Sequence, residues 1–443
     1  MSDQLFQYII VFSIGLFVYL KDSRSLFIYW LSVQPIIMPI YFRLFPVSIE
    51  EEFGELYAKG VSPVSYLCFF IFLFELLKGR VDLKKDRRLL LSATLVVIYI
   101  AFQNFIVHFD IPTIKNGFTM ILHIIMPLLL LLNCERVRPK KEALIRFSYF
   151  IIVVQLLFCC LNLFGFKAYP TFFEEGRYEN HLISGTFARF NHLTNYLSTL
   201  FLFISVEFYY YKKLGKKDYY IMALLIGIMI LMSGSRLSLI LYIFIILAFL
   251  YIYKRRKFYI LFICLISLLI VYGFSASLSK STIEEQDQAS GIQRNVMGLT
   301  SFFQSDITEG NSTASLSTYL LLFEFHNPIL GNGYAYMGED GYDRGDFANQ
   351  SVFIADAHLA YMIVEYGILG CLVFCFFYIN IFKTVTTRKI IRNSNVIKII
   401  AIYYILNTIT DIGLFDISLL SFLYIFSFTQ DNMLNNTQRL RLQ

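Results

Sequence analysis

A chain of 443 residues that is 57% hydrophobic and 16% charged, with a mean hydropathy of +0.60, carries more apolar surface than a soluble core of that size hides. Its formal net charge of +6 comes from short basic clusters between apolar runs and not from one extended face, which argues against nucleic acid as a partner. All seven cysteines lie in or at the end of apolar segments, so neither a disulfide framework nor a metal cluster organises the chain. An integral membrane protein is the class that remains.

The first apolar run lacks a basic leader and a small-residue cleavage site, so it reads as a retained span and not as a signal peptide. In chain order, apolar segments fall near residues 4–20, 25–45, 61–77, 89–107, 116–133, 147–165, 187–210, 219–233, 237–253, 258–275, 358–382, 396–412 and 415–430. At roughly 17 to 25 residues per crossing, this predicts an all-α polytopic bundle of about 13 spans. Lys and Arg collect in alternate connections: Lys21 with Arg24, Lys78 to Arg88, Arg136 to Arg146, Lys212 to Lys217, Lys254 to Lys257, Lys383 to Arg392, and Arg439 with Arg441. By the positive-inside rule these face the cytoplasm, which places the N-terminus outside and the C-terminus inside. The opposite side holds Glu50, Glu51, Glu52 and Glu55, then Glu174 and Glu175, and one large polar loop.

That loop, residues 276–357, is predicted to be extracytoplasmic and to lie within a single membrane domain spanning 1–443. Ser315 to Phe325 has the apolar content of a short surface helix, and Pro328, Gly331 and Gly333 then break it. Glycines at this spacing let a backbone turn tightly and approach a ligand. No internal repeat of the kind found in many transporters is evident.

Ionisable groups beside apolar spans are costly and point to function or to snorkelling. Ser233-Gly234-Ser235-Arg236 stands between two unusually short apolar runs at the predicted outer boundary, where Arg236 has no cytoplasmic reason to be basic. A guanidinium fork there suits a diphosphate, and an arginine reaching to lipid headgroups is the alternative. His358 opens the span that follows the loop, next to Asp356, where it can exchange a proton with a hydroxyl or cap the helix. Tyr361 and Glu365 fall one and two turns further on, placed to bind a sugar or to pack. A third stretch, Gly185-Thr186-Phe187-Ala188-Arg189-Phe190-Asn191-His192, opens the seventh span, and Arg294 stands in the loop. The chain has no Asp-x-Asp motif in its loops, no Walker pattern and no His/Cys metal spacing, so no cofactor, metal or nucleotide is expected.

Taken together, four stretches resemble the O-antigen ligase and O-antigen polymerase superfamily of bacterial envelope glycosyltransferases. They are the Gly185 to His192 and Ser233 to Arg236 stretches, Asn327-Pro-Ile-Leu-Gly-Asn-Gly333, and Ala357-His-Leu-Ala-Tyr-Met-Ile-Val-Glu-Tyr-Gly-Ile-Leu-Gly370. The resemblance implies a GT-C-like helical bundle in the cytoplasmic (inner) membrane. It also implies a metal-independent glycosyltransferase that uses an undecaprenyl-diphosphate-linked oligosaccharide as donor and acceptor. Arg236 would clamp the diphosphate and His358 would act as acceptor base. Arg189, Arg294, Asn191, Tyr361, Gly331 and Gly333 would bind substrate. This chain departs from the family pattern at Leu359, where Asn is usual, and lacks the usual arginine ahead of the Pro-x-x-Gly-x-Gly element, for which Arg294 would substitute. A polymerase of O-antigen, capsule or exopolysaccharide repeat units is the reading preferred here. A ligase that transfers finished polymer to lipid A core or another final acceptor, or a flippase or transporter for the same lipid-linked sugar, is the alternative. A chain-length regulator and a separate flippase would be its partners.

Overall fold

The computed structural model of the protein describes residues 2–37, 39, 70–71, 74, 87–103, 139–166, 183–187, 190–254, 328–331, 358–387 and 394–410, and all regular structure among them is helical. Helix α1 (Ser2–Lys21) ends at Asp22, whose carboxylate accepts from the Arg24 amide and the Ser25 hydroxyl, both at 3.1 Å, and so caps the short turn Ser23–Ser25. Helix α2 (Leu26–Ser32) then widens into a π-helical turn, Val33–Ile37. Pro35 lies within this turn and has no amide to continue the ladder, so the segment expected as one helix over 25–45 changes its winding there.

The remaining helices are α3 (Arg87–Phe102), α4 (Lys141–Leu163), α5 (Phe190–Tyr209), α6 (Lys216–Ser233), α7 (Arg236–Tyr253), α8 (His358–Thr387) and α9 (Ser394–Thr410). Among the described residues, Lys141–Leu163 and Tyr366–Thr384 are long and apolar enough to cross a bilayer, and α7 and α9 contain shorter apolar helices. What these helices expose is as apolar as what they bury. Phe150, Val153 and Leu157 form an outward stripe on α4, Ile221, Leu224 and Ile228 one on α6, and Leu372, Phe376 and Ile379 one on α8. Continuous stripes of this kind are unfavourable in water and fit a lipid-facing surface.

The core centres on α5, where every residue from Leu193 to Glu207 is buried. Helices α4, α6 and α7 pack around it, and α9 reaches it through Tyr403, whose hydroxyl lies 2.8 Å from both the Ser198 and Thr199 hydroxyls. In a medium without water, such interhelical hydrogen bonds and close packing hold helices together. Helices α6 and α7 form a tight antiparallel hairpin. Tyr242 lies against Gly227 and donates to the Ala223 carbonyl at 2.7 Å. Helix α8 sits against α3 on one side and α9 on the other.

At the end of the bundle where α4 begins and α5 ends, Lys141 Nζ lies 2.7 Å from Glu207 Oε2 and 3.5 Å above the Tyr211 ring. The Glu207 side chain is only 2% exposed, so this pair is desolvated and each charge depends on the other. Removing the cation alone is therefore expected to be severe. Lys141→Met should destabilise the protein by about 3–5 kcal/mol, and the double change with Glu207→Leu should recover most of that loss. Thermal unfolding of the detergent-purified variants measures both.

Candidate functional site

The hairpin turn between α6 and α7 carries the Ser-Gly-Ser-Arg stretch. Gly234 has φ +81° and ψ 7°, the left-handed conformation that ends α6, and Ser235 in extended conformation starts α7. A chain of buried hydroxyls fixes this turn to α5: Ser235 Oγ donates to Ser238 Oγ at 3.0 Å, and Ser238 Oγ to Thr194 Oγ1 at 2.8 Å. The Ser233 hydroxyl folds back onto the Ile230 carbonyl at 2.7 Å. Arg236 is thus the first residue of α7, held beside the first turns of α5.

A second set of contacts fixes the segment leading into α5. From α4, Asn162 Oδ1 accepts the amides of Ser184 and Gly185 at 3.0 and 2.8 Å. Gln155 pairs twice with Thr186, donating to its hydroxyl at 2.6 Å and accepting from its amide at 3.0 Å. Phe187 packs against Tyr196 of α5 with ring centroids 5.4 Å apart. The start of α5, which follows the stretch carrying Arg189, and the start of α7, which opens with Arg236, therefore lie together at one end of the bundle, bonded through Thr194 and Ser238.

A third constellation joins the Pro328–Gly331 turn to α8. At Gly367 (φ +64°, ψ −177°) α8 leaves helical conformation, in a region that only glycine adopts without strain. The amides of Ile368 and Leu369, freed by this break, donate to the carbonyls of Pro328 (3.0 Å) and Ile329 (3.1 Å). A Cβ at Gly367 would overlap the backbone of Ile329 and Gly331. From α3, the Tyr99 hydroxyl bonds the Tyr366 carbonyl and the Leu330 carbonyl, the latter at 3.1 Å. Gln103, just past the end of α3, donates to Tyr99 Oη at 2.9 Å and also to the Leu330 carbonyl. Two stretches singled out in the sequence thus interlock as a single joint. The span expected to run unbroken over 358–382 is two helical pieces.

His358 is the first residue of α8 and Tyr361 lies one turn further on; Asn191 is the second residue of α5. For these three and Arg236 the backbone position is described but the side chain is not, and Arg189, Arg294 and Gly333 lie outside the described residues. Gly331 is buried in the joint with φ +80°, where it serves the turn itself. The sequence reading missed Tyr99, Gln103, Gln155, Asn162, Thr194 and Ser238. For the three amides a signal was available, since each is a polar side chain in or at the edge of an apolar run.

Residues 221–375 match a family model described as O-antigen ligase. The matched stretch runs from within α6 through the Ser-Gly-Ser-Arg turn and the Pro328–Gly331 turn to just past the break in α8, and it supports a relation of this part of the chain to the O-antigen polymerase and ligase superfamily. Members of that family are membrane proteins and glycosyltransferase-like enzymes of polysaccharide biosynthesis. No curated protein matches the chain significantly.

The joint makes a sharp prediction. Gly367→Ala combines a backbone cost of about 1–3 kcal/mol with direct overlap against the turn, so the yield of monodisperse protein and its unfolding temperature should both fall. Size-exclusion chromatography and thermal unfolding in detergent provide the check.

Proposed function

We propose that this protein is a membrane glycosyltransferase that polymerises oligosaccharide repeat units carried on undecaprenyl diphosphate, at the outer face of the cytoplasmic membrane. The observation that carries this reading is the family match over 221–375, which contains both the turn bearing Arg236 and the helix opened by His358. The hydroxyl chain that sets the start of α7 against α5 supports it, because it places the Arg236 turn next to the segment following Arg189. In this reading the chain is one polytopic domain of about 13 spans, and residues 276–357 form its extracytoplasmic loop.

The reaction needs no oxidant, nucleotide or metal. A hydroxyl of the acceptor sugar attacks the anomeric carbon of the donor, a new C–O bond forms, and the bond from that carbon to the diphosphate oxygen breaks. His358 takes the hydroxyl proton, while Arg236, with Arg189 and Arg294, holds the departing diphosphate. Asn191, Tyr361 and Gly333 are assigned to the substrate path. Negative charge grows on the leaving group in the transition state, and fixed guanidinium groups in a water-poor site stabilise it. Losing one such donor typically costs on the order of a hundred-fold or more in rate.

Transfer of finished polymer to a final acceptor is the second reading, favoured by the matched family's description as O-antigen ligase. A deletion strain separates the two. Single repeat units on the final acceptor identify a polymerase, and accumulated lipid-linked polymer identifies a ligase. In a polymerase pathway, a flippase supplying the units and a chain-length regulator would act beside this protein.

Purified protein given lipid-linked repeat in detergent should extend chains with no bilayer to cross, an outcome that a flippase does not produce. Arg236→Ala and His358→Ala should each abolish chain growth at unchanged protein level, as read on a gel of the products. A variant of either that still makes full-length chains removes that residue from the site.

A further inference from the structure

The break in α8 is bonded to a loop turn and to α3, a helix outside the family-matched stretch. An uninterrupted helix would pair the amides of Ile368 and Leu369 with carbonyls one turn earlier in the same helix. Here they pair with Pro328 and Ile329, so the direction of the His358–Tyr366 piece is set by the Pro328–Gly331 turn and not by helical continuity. What fixes that turn is α3. Tyr99 joins the carbonyl that ends the His358–Tyr366 piece to the Leu330 carbonyl of the turn, and Gln103 bonds both Tyr99 and Leu330. Gly370, where a Cβ would meet the Tyr99 ring at 2.6 Å, lets this ring lie flush against α8.

We propose that Tyr99 and Gln103 are positioning residues for the transfer step: they lock the turn into the break at Gly367 and so fix where the half-helix bearing His358 points. The proposal rests on the reading of His358 as acceptor base. Tyr366 lies eight residue steps beyond His358, about 12 Å of helix at 1.5 Å per residue. A tilt of about 10° at the joint would carry the far end by about 2 Å. A misplacement of about 1 Å can cost a hundred-fold in rate when a base must meet its substrate within hydrogen-bond distance. Neither residue touches substrate in this account. Their effect passes through the joint.

The test uses full-length protein in lipid nanodiscs or detergent, with Tyr99→Phe and, as a milder change to the same clamp, Gln103→Leu. Hydrogen exchange of the Ile368 and Leu369 amides should accelerate about 5-fold or more in each variant, as the loss of one or two bonds from the clamp predicts. With lipid-linked repeat as substrate, kcat should fall about 10- to 100-fold while KM stays within about 2-fold. Exchange that matches wild type overturns the clamp, and faster exchange with undiminished kcat overturns its part in transfer. Loss of rate through KM alone also overturns it. Wild-type protein that performs no transfer in the same assay sinks the reading of the function itself. An active wild type with unimpaired variants sinks this inference alone.

Discussion

A helix interrupted inside a bundle leaves peptide amides that its own ladder no longer pairs, and a stable interruption supplies each with another acceptor. The structure meets this demand at Gly367 by lending the carbonyls of Pro328 and Ile329 from the loop side. The consequence reaches beyond the backbone. A turn from the large polar segment is bonded to the bundle through the same kind of backbone hydrogen bonds that a helix makes within itself. The glycine at the break serves both partners, because its conformation bends α8 and its missing side chain admits the turn.

The same economy governs α5. A helix buried all round needs partners for its polar side chains, and those of α5 are placed where neighbouring helices offer them: Thr194 to Ser238, and Ser198 and Thr199 to Tyr403. Gln155 and Asn162 extend this to the segment before α5, where one turn bond from the Phe187 amide to the Ser184 carbonyl is joined by contacts from two amide side chains of α4. Polar contacts inside the bundle thus do for irregular segments what the backbone ladder does for helices.

How much of this was legible beforehand depended on whether the cause was local. The paired short helices on either side of Gly234 follow from a Ser-Gly-Ser interruption of an apolar run: hydropathy placed them at 219–233 and 237–253, and they run over 216–233 and 236–253. The π turn at Pro35 also has a local cause, but apolar composition over 25–45 masked it. The break at Gly367 has no local signature, since glycine is common in membrane helices and the residues on either side are apolar. It exists because a turn some forty residues earlier arrives to satisfy the amides. For the candidate site, the stretches that meet were recognised from their residues, whereas the side chains that hold them, on α3 and α4, belong to segments read only as spans.

The two-residue connection between α6 and α7 sets a limit on how this protein can diversify. Each residue of an α-helix turns its successor by about 100°, so one residue inserted or lost between Gly234 and Ser238 would swing the start of α7 away from Thr194 and break the hydroxyl relay. Length variation is barred at this corner, and drift in sequence there is confined to replacements that keep the register. Change elsewhere in the chain would leave this corner as the fixed reference.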